Sequence, residues 1–397
     1  MTIPVSMQGV ATTERTRVVF GPGVIGQLGL LAKNLMASRV FVVTDRGLLG
    51  AGHVQLALDS LQAAGLHTEV FVDLSENPSD EDVERCRTAA VDFAPDLLVG
   101  LGGGSPIDVA KGANFLLSRG GRIHDHWGDG KVTGSLLPMI AVPTTAGTGT
   151  EVQRFALISD AQSHQKMACG DTLLIPRVAL LDPQLTVSLP RHVTACTGMD
   201  AIGHALETAV TSARNERSSA YARAAFVLAC SSFPRVLRDP SDVEARGDML
   251  RAATLAGLAI EHSMLGAAHA MANPLTARFD VAHGQAVGIM LPAVVRYNAA
   301  EPQTAAIYAE LAREAGLCPP QTETAAACEA LSASLGQFLR EAELATSLEA
   351  CGVSAGDCEV LGKEAGGQWT AGFNPRAVGP SDLEGMYRAT LLQGSGQ

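Results

Sequence analysis

The sequence predicts two structural parts: an α/β domain with a parallel sheet, and an all-helical domain after it. The chain has 397 residues, which exceeds the length at which a single hydrophobic core keeps growing. From residue 39 to about residue 190, short β-branched runs alternate with helical stretches, whereas Ala-rich helical segments dominate after Pro190. We therefore predict domains at residues 1–189 and 190–397.

Five apolar runs in the first part predict strands. They are RVFVVTD (39–45), TEVFVDL (68–74), DLLVGLGGGS (96–105), PMIAVPTT (138–145) and RVALLD (177–182). Helical periodicity appears between them in VQLALDSLQAAG (54–65) and EDVERCRTAAVDF (81–93). Strand–helix alternation with continuous apolar strands is typical of a parallel sheet covered on both faces.

In the second part, three Ala-rich segments predict helices over residues 192–210, 218–237 and 248–272. The change of pattern falls in LDPQLTVSLP (181–190). The aromatic content is only 4%, so we expect the core to consist mainly of Ala, Leu and Val.

Composition excludes several partners. The chain carries 29 Lys and Arg against 41 Asp and Glu, a net charge of −12, so it lacks the attraction to phosphate backbones that nucleic-acid binding needs. The uncharged run 132–150 is long enough to span a bilayer, but its two prolines and three glycines would leave backbone groups unsatisfied there. We expect neither nucleic acid nor a membrane as a partner.

The eight cysteines form no C-x-x-C pair, and residues 1–17 lack the basic and apolar regions of a secretory signal. Cysteines this thinly spaced in a long chain indicate reduced thiols. We therefore expect a cytoplasmic protein.

Two glycine-bearing segments follow predicted strands. GLGGGSPIDVAKG (100–112) leads into a helix whose free N–H groups could bind a phosphate, although a tight turn would look the same. The Rossmann fingerprint is not met, because Ser105 stands at its third glycine. VPTTAGTGTE (142–151) could bind a ribose or diphosphate, or form a well-bonded turn. Two such segments at strand ends of one sheet indicate a crevice.

Asp200 and His204 have the i,i+4 spacing that lets two helical side chains reach one ion, and His269 and His283 lie in apolar, small-residue surroundings. Three histidines and one aspartate suit Fe²⁺ or Zn²⁺, whereas core histidines bonded to carbonyls are the alternative. The His-x-His pair in HDHW (124–127) is interpreted as part of a surface loop.

Together, these motifs resemble the iron-containing (group III) alcohol dehydrogenase family over nearly the whole chain. Further matching segments are ENPSDEDV (76–83), TGMDAIGHALE (197–207), HAMANPL (269–275), HGQAVGIMLP (283–292) and FNPR (373–376). The resemblance implies an N-terminal dinucleotide-binding α/β domain and a C-terminal all-helical metal-binding domain, a fold shared with dehydroquinate synthase.

The resemblance also implies site residues. Asp200, His204, His269 and His283 stand at the family's metal-ligand positions, for Fe²⁺ or alternatively Zn²⁺. Asp45 matches its ribose-binding aspartate, which implies NAD rather than NADP. The other matching cofactor positions are Asn77, Gly103, Gly104, Ser105, Asp108, Thr144, Thr145, Thr148 and Lys166.

The sequence departs from the family at two positions. Asn273 stands where many members have a histidine, which leaves the proton path and the substrate class open. Thr150 replaces the usual serine, a change that we expect to be harmless. No catalytic residue beyond the metal site is assigned.

The implied activity is hydride transfer between a small alcohol and nicotinamide, in a homodimer or larger homo-oligomer. One alternative is reduction of an oxo acid such as maleylacetate, with Arg154 or Arg278 binding the carboxylate. A catalytically silent nucleotide-binding relative is another. A lyase of the dehydroquinate synthase type should have several Lys and Arg near the metal ligands, where the sequence offers only Arg278.

Overall fold

A computed structural model of the chain describes residues 9–13, 15–162 and 165–391, with the backbone alone for residues 9–12. The chain divides into two compact units, residues 1–188 and 189–397. The first unit is α/β and the second is helical, as the sequence predicts. Residues 1–8, within the segment searched for a secretory signal, lie outside the described part.

All strands in the described part of the chain belong to the first unit. They are β1 (Gly9–Thr12), β2 (Arg17–Phe20), β3 (Arg39–Val43), β4 (His67–Phe71), β5 (Leu97–Gly102), β6 (Gly128–Asp129), β7 (Met139–Pro143), β8 (Phe155–Ser159), β9 (Lys166–Gly170) and β10 (Val178–Leu181). Seven of them form one sheet in the order β1-β2-β10-β7-β5-β3-β4, in which only the β1–β2 pair is antiparallel. The other three form a small sheet in the order β6-β9-β8.

Helices cover both faces of the large sheet. They are α1 (Leu28–Asn34), α2 (Arg46–Gly50), α3 (His53–Ala63), α4 (Asp80–Phe93) and α5 (Gly104–Arg119). Successive side chains of a strand point to opposite faces, so Val40 and Val42 of β3 join one core cluster with Leu61 of α3. Phe41 of β3 joins another with Ile107 of α5. The predicted doubly covered parallel sheet is confirmed.

The strand order reverses between β3 and β5, because the chain crosses from β4 back over β3 to β5. Ligands of open α/β sheets bind beyond the carboxyl ends of strands at such a point. Asp45 follows β3 there, and the glycine segment follows β5.

Each of the five predicted strands is present, but the β1–β2 hairpin and the three-stranded sheet were not predicted. The small sheet escapes a search for apolar runs because β8 is half-exposed and β6 has only two residues. The interpretation of HDHW as a surface loop is wrong for His126. Residues Ile123–His126 form a 3₁₀ helix, and the buried His126 ring stacks on Phe115 with centroids 4.7 Å apart.

The second unit is built from nine α-helices in the described range. They are α6 (Arg191–Val210), α7 (Glu216–Arg238), α8 (Val243–Glu261), α9 (Ala267–Phe279), α10 (His283–Asn298), α11 (Pro302–Glu314), α12 (Thr324–Glu341), α13 (Cys358–Gly366) and α14 (Pro380–Thr390). The single helix predicted over residues 248–272 is wrong. The chain leaves the helix after Glu261 and begins α9 after Gly266, whose φ of −136° and ψ of −143° are not helical.

Two further predictions can be compared with the structure. All eight cysteines lie in the described part of the chain and are free thiols. Among the described residues, no helix combines the length and the apolar character that crossing a membrane requires.

Gly29 allows α1 and α3 to pack closely, and its replacement tests this packing. A Cβ at Gly29 would lie 2.1 Å from the carbonyl oxygen of Ser60. We expect Gly29→Ala to lower the free energy of unfolding by about 1–3 kcal/mol, because overpacking forces the helices apart. Urea unfolding would measure the change.

Gly26→Ala is the matched control, because no atom lies within 4 Å of a Cβ at Gly26. Its expected effect is within about 0.5 kcal/mol. Equal stability of the two variants would contradict the packing argument.

Candidate active site

Three histidine side chains of the helical unit surround one carboxylate oxygen of Asp200. Asp200 and His204 lie one turn apart on α6, His269 lies on α9, and His283 is the first residue of α10. The Nε2 atoms of His204, His269 and His283 lie 3.5, 3.3 and 3.8 Å from Asp200 Oδ1. The structure thus brings together all four residues that the sequence assigns to a metal.

The four residues are not equally close to one another. Ligand atoms of Asp200, His269 and His283 lie mutually within 4.8 Å. His204 approaches the same Asp200 oxygen and stacks on the His269 ring, with centroids 4.7 Å apart. Asp200, His204 and His269 are buried, whereas the His283 side chain is 31% exposed, so the cluster is most accessible at His283.

The electrostatics of the cluster follow from this geometry. Burial alone would raise the pKa of Asp200, but the three histidines hold it well below its usual range. Burial alone would lower the pKa of His269, but the carboxylates of Glu207 and Asp200 raise it to about 9. The cluster therefore favours a positive charge beside Asp200.

Glu207 orients the His269 ring from the side opposite to Asp200. It is buried one turn beyond His204 on α6. Its Oε2 lies 2.5 Å from His269 Nδ1, and its Oε1 accepts the Ala268 N–H at 2.6 Å. Sequence reasoning assigned Glu207 no role, although its i+3 spacing from His204 placed it on the same face of the helix.

The FNPR segment also contacts the start of α9. Asn374 Oδ1 accepts from the Ala267 N–H at 3.3 Å and from Asn298 Nδ2 at 3.1 Å. Asn374 Nδ2 donates to Asn298 Oδ1 at 2.7 Å. This motif residue therefore fixes the beginning of the helix that carries His269.

Asn273, the departure from the family pattern, donates from Nδ2 to Gln368 Oε1 at 3.0 Å. The two arginines considered for an oxo-acid carboxylate already have acidic partners. Arg278 Nε lies 2.7 Å from Glu364 Oε2, and Arg154 Nη1 lies 3.0 Å from Asp129 Oδ2.

The predicted cofactor residues lie in the α/β unit. Gly103 is the N-cap of α5 and has no side chain to cap this helix start, so the first N–H groups can serve a ligand. A Cβ at Gly104 would lie 2.9 Å from Thr148 Cγ2, and one at Gly103 would lie 3.4 Å from Thr145 Cγ2. The glycine and threonine segments are therefore adjacent.

Two other predicted residues border the same strand ends. Asp45 caps α2, accepting the Leu48 N–H at 3.2 Å on Oδ1. A Cβ at Gly102 would lie 3.3 Å from Asp45 Oδ2, so the aspartate adjoins the glycine turn. Asn77 is exposed, and its neighbour Glu76 accepts a hydrogen bond from the Ser105 hydroxyl.

The threonine segment continues from β7 and is attached to α5 through buried polar groups. The Thr144 N–H donates to Gly102 O at 2.8 Å, which joins the ends of β7 and β5. Asp108 Oδ1 accepts from the Thr150 hydroxyl at 2.6 Å, and Asp108 Oδ2 accepts from Leu157 N–H at 3.1 Å.

Lys111 is a residue that sequence reasoning missed. Its side chain is fully buried, and Nζ donates to Thr150 O and Oγ1 at 2.7 Å, Gln153 O at 2.8 Å and Phe155 O at 2.9 Å. The only available signal was its i+3 spacing from Asp108 in the glycine motif.

The remaining predicted cofactor residue, Lys166, begins β9 and is exposed. Burial raises the pKa of Asp108, while Lys111, the Thr150 hydroxyl, the Leu157 N–H and Lys166 each lower it. Lys166 therefore lies within electrostatic reach of Asp108.

Comparison with known proteins identifies the family. The family model for iron-containing alcohol dehydrogenase matches residues 15–183, and the model for the C-terminal part of the Fe-containing alcohol dehydrogenase family matches residues 194–391. The NAD-dependent methanol dehydrogenase of Bacillus methanolicus is 31% identical over 376 residues, which are 94% of this chain and 97% of that protein.

One further sequence relative and one solved structure agree with this family assignment. The 1,3-propanediol dehydrogenase of Klebsiella pneumoniae is 32% identical over 374 residues, which are 93% of this chain and 95% of that protein. A solved structure of a 1,3-propanediol oxidoreductase has a TM-score of 0.91 and 30% identity, covering 96% of this chain and 99% of that chain.

The predicted fold, family and enzyme class are confirmed by these matches, and so are NAD and iron as the cofactors of the family. The chain belongs to the iron-containing alcohol dehydrogenase family, a class of NAD-linked, metal-dependent oxidoreductases.

Proposed function

We propose that this chain interconverts a small alcohol and its aldehyde, with a divalent metal held by Asp200, His204, His269 and His283. The observation that carries the proposal is the convergence of three imidazole nitrogens on one buried carboxylate oxygen. Three nitrogen ligands and one oxygen ligand suit Fe²⁺ or Zn²⁺. The name of the family favours iron.

The donor set fits a cation. Glu207 beside Nδ1 of His269 favours a proton on that nitrogen, so Nε2 of the neutral ring presents a lone pair. That lone pair would face the Asp200 carboxylate at 3.3 Å, and two acceptors at this distance repel each other. A metal ion removes this repulsion. A second proton on His269 removes it too, and the raised pKa of His269 reflects how strongly the two carboxylates favour that proton.

The α/β unit fits a dinucleotide. We propose that residues 1–189 bind NAD and residues 190–397 carry the metal. The uncapped start of α5 offers N–H groups to a diphosphate, and glycine at 103 and 104 lets the threonine segment approach them. Asp45 stands beside the same turn, where a carboxylate accepts a ribose hydroxyl and repels a 2′-phosphate.

The roles of the chain's own residues follow from their contacts. Bound in these sites, a divalent ion supplies Lewis-acid chemistry toward a substrate oxygen and nicotinamide supplies hydride chemistry. Glu207 holds the His269 ring in orientation, and Asn374 holds the start of its helix. Asp108 and Lys111 hold Thr150, so we assign them positioning roles for the threonine segment.

The substrate class rests on two observations. Relatives are named for methanol and 1,3-propanediol, which are small alcohols. Arg154 and Arg278 are both paired with acidic side chains, which favours an uncharged substrate over an oxo acid.

A cytoplasmic location and a homodimer or larger homo-oligomer complete the proposal. The eight free thiols support a reducing compartment. Light scattering on the purified chain would measure the oligomeric state.

Asp200→Ala tests the metal site directly. After anaerobic loading with Fe²⁺ or Zn²⁺, we expect this variant to lose the metal equivalent bound here and to reduce small aldehydes with NADH about 1,000-fold more slowly. Loss of a Lewis acid removes several kcal/mol of transition-state stabilisation. Elemental analysis and NADH absorbance measure the two effects.

Asp239→Ala, at an exposed turn between α7 and α8, is the control and should match the wild-type chain. Wild-type turnover in Asp200→Ala would overturn the proposed function. So would the absence of turnover with NADH or NADPH in the metal-loaded wild-type chain.

Glu207→Gln tests the orientation of His269. The glutamine can keep the Ala268 hydrogen bond, but its NH₂ group would face Nδ1 and favour the tautomer that carries the proton on Nε2. We expect the affinity of the cluster for Zn²⁺ to fall about 10–100-fold, as is typical when an outer partner of a histidine ligand is lost. Competition with a chromogenic chelator would measure this affinity.

Activity of Glu207→Gln should return at high metal concentration, which a merely misfolded site would not allow. Glu216→Gln, exposed at the start of α7, is the matched control. Unchanged metal affinity in Glu207→Gln would contradict the role assigned to Glu207.

Asp45→Asn tests the cofactor preference. Asparagine keeps an oxygen that can cap α2, but it removes the negative charge that would strengthen a hydrogen bond from the ribose hydroxyl. We expect the ratio of kcat/KM with NAD to kcat/KM with NADP to fall at least about tenfold, because a hydrogen bond to a charged group contributes about 1.5–3 kcal/mol.

Steady-state kinetics with both cofactors measure the ratio. Asp59→Asn, on α3, is the control with a similar charge change, and we expect it to keep the wild-type ratio. A wild-type ratio in Asp45→Asn would exclude Asp45 as the selective residue.

A further inference from the structure

A second cluster of metal-ligand side chains lies in the α/β unit. Asp80, His124 and Asp160 each offer one ligand atom, and these three atoms lie within 4.8 Å of one another. His124 Nε2 lies 2.5 Å from Asp160 Oδ2. The residues come from three separate segments: the start of α4, the 3₁₀ helix Ile123–His126, and the β8–β9 turn.

The main chain holds the two carboxylates side by side. Ser79 and Ser159 form an isolated parallel bridge, and the Ser159 N–H donates to Pro78 O at 2.8 Å. Asp80 and Asp160 are the next residues of the two paired segments, so their positions follow from backbone pairing rather than from flexible side chains.

Each carboxylate is also oriented by the backbone of the turn after β8. The Ala161 N–H donates to Asp80 Oδ1 at 2.9 Å, and the Gln162 N–H donates to Asp160 Oδ1 at 3.1 Å. Two like charges fixed this close repel each other, and a cation between them reverses the sign of the interaction. The arrangement is therefore preorganised for a positive ion.

We propose that Asp80, His124 and Asp160 form a second binding site for a divalent transition-metal ion such as Zn²⁺. One imidazole and two carboxylates are ligands that such ions accept, and three protein ligands leave a position for water. The three side chains are half-buried, so the ion is desolvated only in part. This site lies in the α/β unit and does not depend on the function proposed for the cluster at Asp200.

The surroundings of the site favour a cation. The three residues line an open cavity of about 1000 Å³. Five acidic side chains line it, Asp73, Asp80, Glu81, Glu84 and Asp160, against two basic ones, Arg85 and Arg122. The open side gives an ion a route from solvent, and the excess of acidic groups raises the local concentration of cations.

Only one of the two histidines of HDHW is a ligand in the proposed site. His126 is buried against Phe115, whereas His124 faces the two aspartates. The ion would therefore link three segments that are distant in sequence, and the expected consequence of binding is higher stability of the α/β unit rather than a change in turnover.

Metal analysis of the full-length chain tests the proposal. After equilibrium dialysis against micromolar Zn²⁺, we expect His124→Gln and Asp160→Asn each to contain one Zn²⁺ per chain fewer than the wild-type chain. Asp73→Asn, an acid of the same cavity outside the three ligands, is the matched control and should keep the wild-type content. Unchanged Zn²⁺ content in both ligand variants would overturn the proposal.

The Asp200→Ala variant separates the two metal sites. Asp200→Ala should retain the one Zn²⁺ per chain that His124→Gln and Asp160→Asn lose. The double variant His124→Gln/Asp200→Ala should contain no stoichiometric Zn²⁺. If Asp200→Ala binds as much Zn²⁺ as the wild-type chain while His124→Gln still loses one equivalent, the proposed catalytic site fails and this one stands.

Thermal unfolding gives a readout that excludes misfolding. In EDTA, His124→Gln should melt at the wild-type temperature. In the Asp200→Ala background, saturating Zn²⁺ should raise Tm by at least about 2 °C, and the further change His124→Gln should abolish the rise. A Zn²⁺-dependent rise that survives His124→Gln would place the ion elsewhere and overturn the proposal.

Discussion

Three imidazole nitrogens lie within 3.8 Å of a single oxygen of Asp200, an arrangement that apolar packing alone does not produce. It requires α6 and α10 to pack so closely that only glycine fits at the points where the two helices touch. A Cβ at Gly284 would lie 1.9 Å from Cys196 O, and one at Gly203 would lie 2.5 Å from Val287 Cγ1. Close helix packing is therefore a condition for the cluster.

In each unit, buried charged groups with hydrogen-bond partners on adjacent segments lie beside the predicted site residues. In the helical unit, the Glu207 carboxylate contacts His269 and the Ala268 N–H. In the α/β unit, Lys111 donates to oxygens of Thr150 in the threonine segment, of Gln153, and of Phe155 at the start of β8. A charge buried in this way is stable only while its partners stay in place, so the segments that carry them are held against the helix.

The sequence predicts features whose signal is local. The Asp200–His204 pair follows from i,i+4 spacing, and the strands that end at the glycine and threonine segments follow from apolar runs. Features that depend on distant partners are not predictable in this way. Glu207 meets His269 across 62 residues, and Lys111 reaches Phe155 across 44 residues. The break before α9 also lacks a strong local signal, because Ala-rich sequence continues on both sides of it.

Asp108, one of the predicted cofactor residues, uses both of its carboxylate oxygens for contacts within the protein. Asp108 has one carboxylate oxygen bonded to the Thr150 hydroxyl and the other to the Leu157 N–H. Its motif position is explained by these contacts, because the hydroxyl of Thr150 joins Asp108 and Lys111 in one buried network. A serine hydroxyl could make the same two bonds, which supports the expectation that threonine at position 150 is harmless.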